Sequence, residues 1–162
     1  MERLILNKKL KLKYSLFAIL SVALLVIDLL SKEWIVNLAG GKIGEGMVVI
    51  KGILEFSYLE NTGASLGMLG GQKILLILLT VAILVIGGWY FVKHKPTHTM
   101  VLTASSLILA GAVGNLIDRI MLGYVRDFIS FSFFPYTFNV ADCGICIGAG
   151  LLILYAFLNI KE

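Results

Sequence analysis

Leu16-Phe-Ala-Ile-Leu-Ser-Val-Ala-Leu-Leu-Val-Ile-Asp28-Leu-Leu-Ser-Lys32-Glu-Trp-Ile-Val36 is long and apolar enough to cross a bilayer, yet it carries an acid and a base in its second half. Lipid offers the backbone no hydrogen-bond partners, so such a run must be helical. Three further runs meet the same length requirement: Ile74 to Val92, Met100 to Leu122 and Val140 to Asn159. Composition agrees with this reading. Of 162 residues 59% are hydrophobic and 15% charged, and the mean hydropathy of +0.94 implies more apolar surface than a soluble domain can bury. The expected fold class is all-α membrane protein with four transmembrane helices.

The net charge of +4 does not point to nucleic acid, because Arg3, Lys8, Lys9, Lys11 and Lys13 cluster beside the first span as a topology signal. That span is expected to be retained and not cleaved as a signal peptide, since it is long, holds Asp28 and Lys32, and is followed by no small-residue cleavage site. The basic leader, the Lys93-His94-Lys95 turn and Lys161 fall on one side of a four-span chain, which places both termini in the cytoplasm. The connections from Asn37 to Lys73 and from Gly123 to Asn139 then lie outside. In the first of them, Leu54, Phe56 and Tyr58 alternate with Glu55 and Ser57 beyond a Lys51-Gly52 turn, and Met47 to Ile50 precedes it, so a small hairpin resting on the membrane is expected. No internal repeat or low-complexity segment divides residues 1–162, which read as a single membrane domain.

An ionised side chain at mid-bilayer costs roughly 2.5–3.5 kcal/mol on insertion scales, so those present need a reason. They share one depth. Asp28 and Lys32 are four residues apart on the outer half of the first helix. Asn115, Asp118 and Arg119 fall on the last turns of the third, Asn139 and Asp142 open the fourth, and Asp127 and Asn61 belong to the outer connections. The plainest reading is mutual satisfaction: Asp28 with Lys32, Asp118 with Arg119, Asn115 and Asn139 with backbone. Asp127 and Asp142 are left without an obvious cation, and Asp142 sits where a helix N-terminus favours negative charge. Two carboxyls held close cannot both ionise cheaply, so one keeps a proton near neutral pH, which supplies an acid and a base together. Such a pair can activate water against a peptide carbonyl without a metal or cofactor.

Several spaced motifs, in order, cover nearly the whole chain: Asp28-Leu-Leu-Ser-Lys32, Glu60-Asn61-Thr-Gly63-Ala64-Ser-Leu-Gly67-Met68, Gly111-Ala-Val-Gly114-Asn115-Leu-Ile-Asp118-Arg119, Val125-Arg-Asp127-Phe-Ile and Phe138-Asn139-Val-Ala141-Asp142. In these the chain resembles the bacterial lipoprotein signal peptidases, the type II signal peptidases. The resemblance implies an aspartyl endopeptidase of the bacterial cytoplasmic membrane that cleaves prolipoproteins just before a diacylglyceryl-modified cysteine at the outer surface. It places the catalytic aspartates at Asp127 and Asp142, supporting residues at Asp28, Lys32, Asn61, Gly63, Asn115, Asp118, Arg119 and Asn139, and a small sheet in the outer loop. A monomer surrounded by lipid is expected. Ser65, Leu66, Cys143, Gly144 and Cys146 depart from the residues usual in the family.

Competing chemistries are weaker. Gly63-Ala-Ser65-Leu-Gly67 fits a serine-hydrolase elbow, but that elbow needs an α/β sheet and a nearby histidine, and His94 and His98 fall at the other side of the membrane. A Ser-Lys dyad through Lys32 competes with the Asp28 pairing. Cys143 and Cys146 form a lone C-x-x-C, which reads as small helix-packing residues, and the Gly144/Gly148 spacing is expected to pack on Ala110, Gly111 and Gly114. Trp34, Trp89 and Tyr90 read as interfacial anchors. A small proton-coupled transporter would need ionisable groups through both leaflets, and the inner halves of the spans offer none.

The topology is testable with single cysteines at Glu45 and Ser130 in a background lacking Cys143 and Cys146. Both sites should react with an impermeant thiol reagent on intact cells, whereas cysteines near the termini should not; the reverse pattern overturns the orientation.

Overall fold

The computed structural model describes residues 2–63 and 71–159; the Ala64-to-Met68 part of the second motif, with Ser65 and Leu66, and Lys161 lie outside the described residues. Its four helices are α1 (Glu2–Leu38), α2 (Lys73–His94), α3 (Thr99–Met121) and α4 (Val140–Asn159), and each contains a window long and apolar enough to cross a membrane. The chain is a multi-pass membrane protein.

The last three helices match the apolar runs within about two residues. The first does not: α1 has 37 residues, about 55 Å at 1.5 Å per residue, and so outruns the roughly 30 Å hydrocarbon layer. The basic leader is helical because no glycine or proline interrupts the sequence before Gly40, where Gly40 and Gly41 take φ of 58° and 73° and stop the helix. At the other end of the bundle, α2 closes on a left-handed Lys95 just before Pro96. His98 then caps α3, its Nδ1 accepting from the Met100 N–H at 3.3 Å.

Helix α3 is the centre of the bundle. Forty-four per cent of its most apolar window is buried, against 11% for α1, 6% for α2 and 17% for α4. Small residues permit this enclosure. A Cβ at Gly144 would press on Leu24 and the Leu107 carbonyl, and one at Gly148 on the Ala104 carbonyl at 2.7 Å. The pair therefore packs against α3 about a turn nearer its start than Ala110, Gly111 and Gly114. The helices are antiparallel, so it is the first turn of α4 that meets those residues: Gly111 faces Ala141, and Gly114 faces Asp28 and Ala141. Cys143 and Cys146 do not pack between helices but lie exposed on α4.

Both long connections contribute to one antiparallel sheet, ordered β1 (Gly46–Ile50), β2 (Leu54–Asn61), β3 (Val125–Phe131) and β4 (Thr137–Phe138). The expected hairpin is present as β1 and β2, but the second connection supplies half of the strands. Its share was not legible because β2–β3 pairing joins residues more than sixty positions apart. The sheet rests on the end of α1, where Ile35 and Ala39 are buried with Tyr58 and Phe128, and Phe56 sets its edge against Trp34 and Phe128. A register shift between Phe56 and Leu59 re-aims the end of β2, placing Leu59 opposite Asp127 and Asn61 opposite Val125.

The α3–α4 contact yields a stability prediction. Gly148→Val would drive a branched side chain into the Ala104 carbonyl and should cost about 1–3 kcal/mol. Gly87→Ala meets open space in a helix and should be neutral or slightly stabilising. Thermal unfolding in detergent reads both, and an unchanged Tm for Gly148→Val would count against the packing.

Candidate active site

Asn139 stands at the N-cap of α4 and is fully buried, and its neighbours show how the site is assembled. Its Oδ1 accepts from the Asp142 backbone N–H at 2.8 Å, while the Asp142 carboxylate accepts from the Asn139 N–H at 3.4 Å. This is a reciprocal capping box with Asp142 at the third helical position. A further free N–H of the first turn, that of Ala141, donates to Asp28 Oδ1 at 2.8 Å. The side-chain amide of Asn139 donates to Asp127 Oδ1 at 2.5 Å and to Asn115 Oδ1 at 3.1 Å. One residue thus holds both Asp127, through its side-chain amide, and Asp142, through its side-chain oxygen and its backbone N–H.

Asn115 completes the bracket, donating to Asp142 Oδ1 at 2.7 Å while its own oxygen accepts from Lys32 Nζ at 2.9 Å. The wholly buried Lys32 also meets Asp28 at 2.7 Å and Asp118 at 3.5 Å. On the sheet side, Asn61 donates to Asp127 Oδ2 at 2.8 Å and accepts from the Gly63 N–H at 2.9 Å. The Gly63 carbonyl accepts in turn from the Arg119 guanidinium at 3.1 Å. All ten residues singled out in the sequence therefore belong to one hydrogen-bonded and ion-paired network.

The pairing inside it differs from the simplest expectation in two respects. Asp118 does not pair with Arg119, because adjacent helical residues point away from each other. It instead binds Arg126, which donates to it from its backbone N–H at 3.0 Å and its guanidinium at 2.8 Å and reaches Glu33 at 3.0 Å. Burial works against the Arg126 charge, but hydrogen bonds and charge from Asp118 and Glu33 outweigh it and raise its pKa. Asn115 and Asn139 bind side chains of the network and not backbone alone. Arg126 and Glu33 were not recognisable as parts of the site, since nothing in the spacing of an outer-loop arginine names an acid on α3 as its partner. Strand alternation could have said only that Arg126 points away from Asp127.

Among the described residues, neither Asp127 nor Asp142 enters an ion pair. Asp127 is 1% exposed, and its carboxyl is pushed up to about 7, chiefly by burial and then by the charge of Asp142, against the hydrogen bonds from Asn61 and Asn139. Four carboxyls, Asp28, Asp118, Asp127 and Asp142, face three cations, Lys32, Arg119 and Arg126. With Glu33 set aside because its side chain is 63% exposed to the surroundings, one proton on a carboxyl leaves this inner set neutral, which is what a low-dielectric site favours.

A cavity of about 230 Å³ adjoins this cluster. Asn61, Asn115, Arg119 and Asp142 form its polar end; Leu79 and Ile83 of α2 and Ile145 of α4 form its apolar wall. Leu79 and Ile83 are also exposed on the bundle perimeter, so the cavity opens toward lipid. At its two ends the bundle is unlike: His94 stacks on Tyr90 and His98 lies tilted against Tyr155, far along the helices from the acidic cluster.

Comparison with known proteins agrees with the geometry. Residues 20–158 match the family described as signal peptidase (SPase) II. A lipoprotein signal peptidase of Lactobacillus johnsonii is 36% identical over 94% of this chain and 99% of its own length, and one of Halothermothrix orenii is 41% identical over 74% and 81%. A bacterial membrane enzyme solved by the in meso method at 2.3 Å resolution superposes with a TM-score of 0.82 at 31% identity, covering 91% of this chain and 92% of that one. With its four apolar helices, its small sheet and the match along most of its length, the chain belongs to the signal peptidase II family of membrane proteases.

Proposed function

We propose that this protein removes signal peptides from prolipoproteins by aspartyl chemistry, with Asp127 and Asp142 as the acid–base pair. The observation that carries the reading is the bracketing of these two carboxyls by Asn139 and Asn115 beside a cavity that joins a polar end to an apolar wall. The ionised carboxylate takes a proton from water as its oxygen attacks the scissile carbonyl, and the protonated carboxyl hydrogen-bonds the developing oxyanion. Collapse of the tetrahedral adduct breaks the C–N bond, and the leaving amine takes a proton from the pair. Both carboxyls return to one shared proton, so no covalent intermediate forms.

The remaining residues hold this geometry. Lys32 fixes the Asn115 amide, whose oxygen accepts from the ammonium while its N–H group is turned to Asp142. Asp28 and Asp118 neutralise the buried charge of Lys32, and Arg126 neutralises Asp118. Arg119 and Asn61 tie the Gly63 segment to the polar end, where the peptide flanking the cleaved bond would lie. The apolar wall of α2 and α4 suits the acyl chains of a diacylglyceryl cysteine, so cleavage just before that residue places its lipid in lipid and the carbonyl of the preceding residue, bonded to the cysteine nitrogen, at the carboxyls. With the lysine-rich end in the cytoplasm, the site stands at the outer face of the bacterial cytoplasmic membrane. One chain contains every group the reaction uses, so a monomer suffices.

Asp127→Asn and Asp142→Asn keep side-chain size but remove the exchangeable proton, and each should lower kcat on a lipidated prolipoprotein by at least about 10²–10⁴-fold. The double variant should be scarcely worse, and substantial activity in either single variant overturns the assignment. The rate should be bell-shaped in pH, with one apparent pKa of the pair near 7.

Stability gives an independent readout. A carboxyl raised from 3.8 to about 7 on folding contributes stability that is complete below pH 3.8 and is lost as pH rises through 7. The parent should therefore lose Tm between pH 5 and pH 8 by more than Asp127→Asn does; equal pH slopes would contradict the raised carboxyl. Lys32→Met, by contrast, strands Asp28 in the interior and should destabilise by about 3–5 kcal/mol at any pH where Asp28 is ionised.

A further inference from the structure

A second cavity, of about 150 Å³, lies at the far end of the bundle between α1 and α3. Lys13, Leu16 and Leu20 line it from one face of α1, and Thr99, Leu102 and Thr103 line it from α3. It takes no part in the chemistry described above, since it sits at the end of α3 opposite Asn115 and Asp118. At its floor the buried Ser106 hydroxyl has its one proton engaged by the Leu102 carbonyl at 2.9 Å and the Phe17 carbonyl at 3.2 Å. Its mouth is polar. Lys13 Nζ donates one bond to the Thr97 carbonyl at 2.9 Å, and an ammonium carries three donors, so two remain for another acceptor. Thr99 and Thr103, one helical turn apart, line the groove on the α3 side.

The charge around this mouth selects its occupant. Lys8, Lys9, Lys11, Lys93 and Lys95 surround this end of the bundle, and the sequence has no acidic residue from position 3 to 27 or from 61 to 117. A second copy of the chain would bring the same positive charge to the contact. A free inorganic anion would make no use of Leu16 and Leu20, and a zwitterionic lipid would add its own cation. An anionic phospholipid satisfies both halves, its phosphate at Lys13 and the threonines and the start of an acyl chain along the leucines.

We propose that the groove between Lys13–Leu20 and Thr99–Thr103 binds one anionic phospholipid. The site would tie α1 to α3 from the surface opposite the acidic cluster, and it stands whether or not the peptidase mechanism is as given above. The test uses the intact protein in detergent, titrated with dioleoyl phosphatidylglycerol or dioleoyl phosphatidylcholine and read by native mass spectrometry. One phosphatidylglycerol should be retained per chain with about tenfold preference over phosphatidylcholine. Lys13→Gln, and Thr103→Leu as a variant that fills the groove without changing charge, should abolish the preference. Lys93→Gln, which removes the same charge outside the groove, should keep it. Lipid-free Tm values confirm that the variants are folded. Equal retention of the two lipids, equal losses in Lys13→Gln and Lys93→Gln, preference surviving in a folded Thr103→Leu, or a retained second copy in place of lipid would each overturn the proposal.

Discussion

A lysine ammonium with no exposed surface, inside a bundle whose perimeter is hydrocarbon, is the constraint on which the rest of this structure depends. An unpaired charge there would cost several kcal/mol, a large share of a fold's net stability, so Lys32 must be surrounded by oxygen. Its partners come from two helices: Asp28 on α1, and Asn115 and Asp118 on α3. Satisfying Lys32 therefore fixes the rotation and depth of α1 against α3. Gly114 lets the Asp28 carboxylate lie against the α3 backbone, where any Cβ would collide with it.

From that fixed point the network grows by hydrogen-bond logic. Once the Asn115 oxygen has accepted from Lys32, its N–H group must point the other way, and there it finds Asp142. Once Asn139 has capped α4 with its oxygen, its amide nitrogen is free to hold Asp127. Amide side chains suit this position because each both donates and accepts, so a chain of them transmits orientation from a cation to two carboxyls without placing that cation on either. A lysine or arginine in place of Asn115 or Asn139 would bind the carboxyls as salts and remove the raised proton affinity seen at Asp127.

The sheet and the bundle meet on the same residues for a related reason. Asp127 belongs to β3, whose neighbour β2 delivers Asn61, and the register shift in β2 aims that strand end at the acidic cluster. The sheet itself is held to α1 by an apolar contact around Ile35, Tyr58 and Phe128. Helices set height and the sheet sets reach, so a carboxyl from the α3–α4 connection and one from a helix N-terminus arrive together.

Sequence alone determined the four spans and picked out the costly residues within and beside them, because hydrophobic length and the penalty of buried charge act on local stretches. It singled out Asp127 and Asp142 by their lack of a cation, and its motifs gathered ten of the residues that the fold links, without Glu33 or the part played by Arg126. Tertiary structure decided what no local rule reaches: Arg126 and not Arg119 neutralises Asp118, Asn139 joins the two carboxyls, and β3 pairs with β2. The 37-residue length of α1 has a local cause instead, since the leader has no glycine or proline to break a helix, but hydrophobic length marks only its apolar part. Partner choice among several like-charged candidates depends on direction in space, and direction is fixed only when the helices have packed.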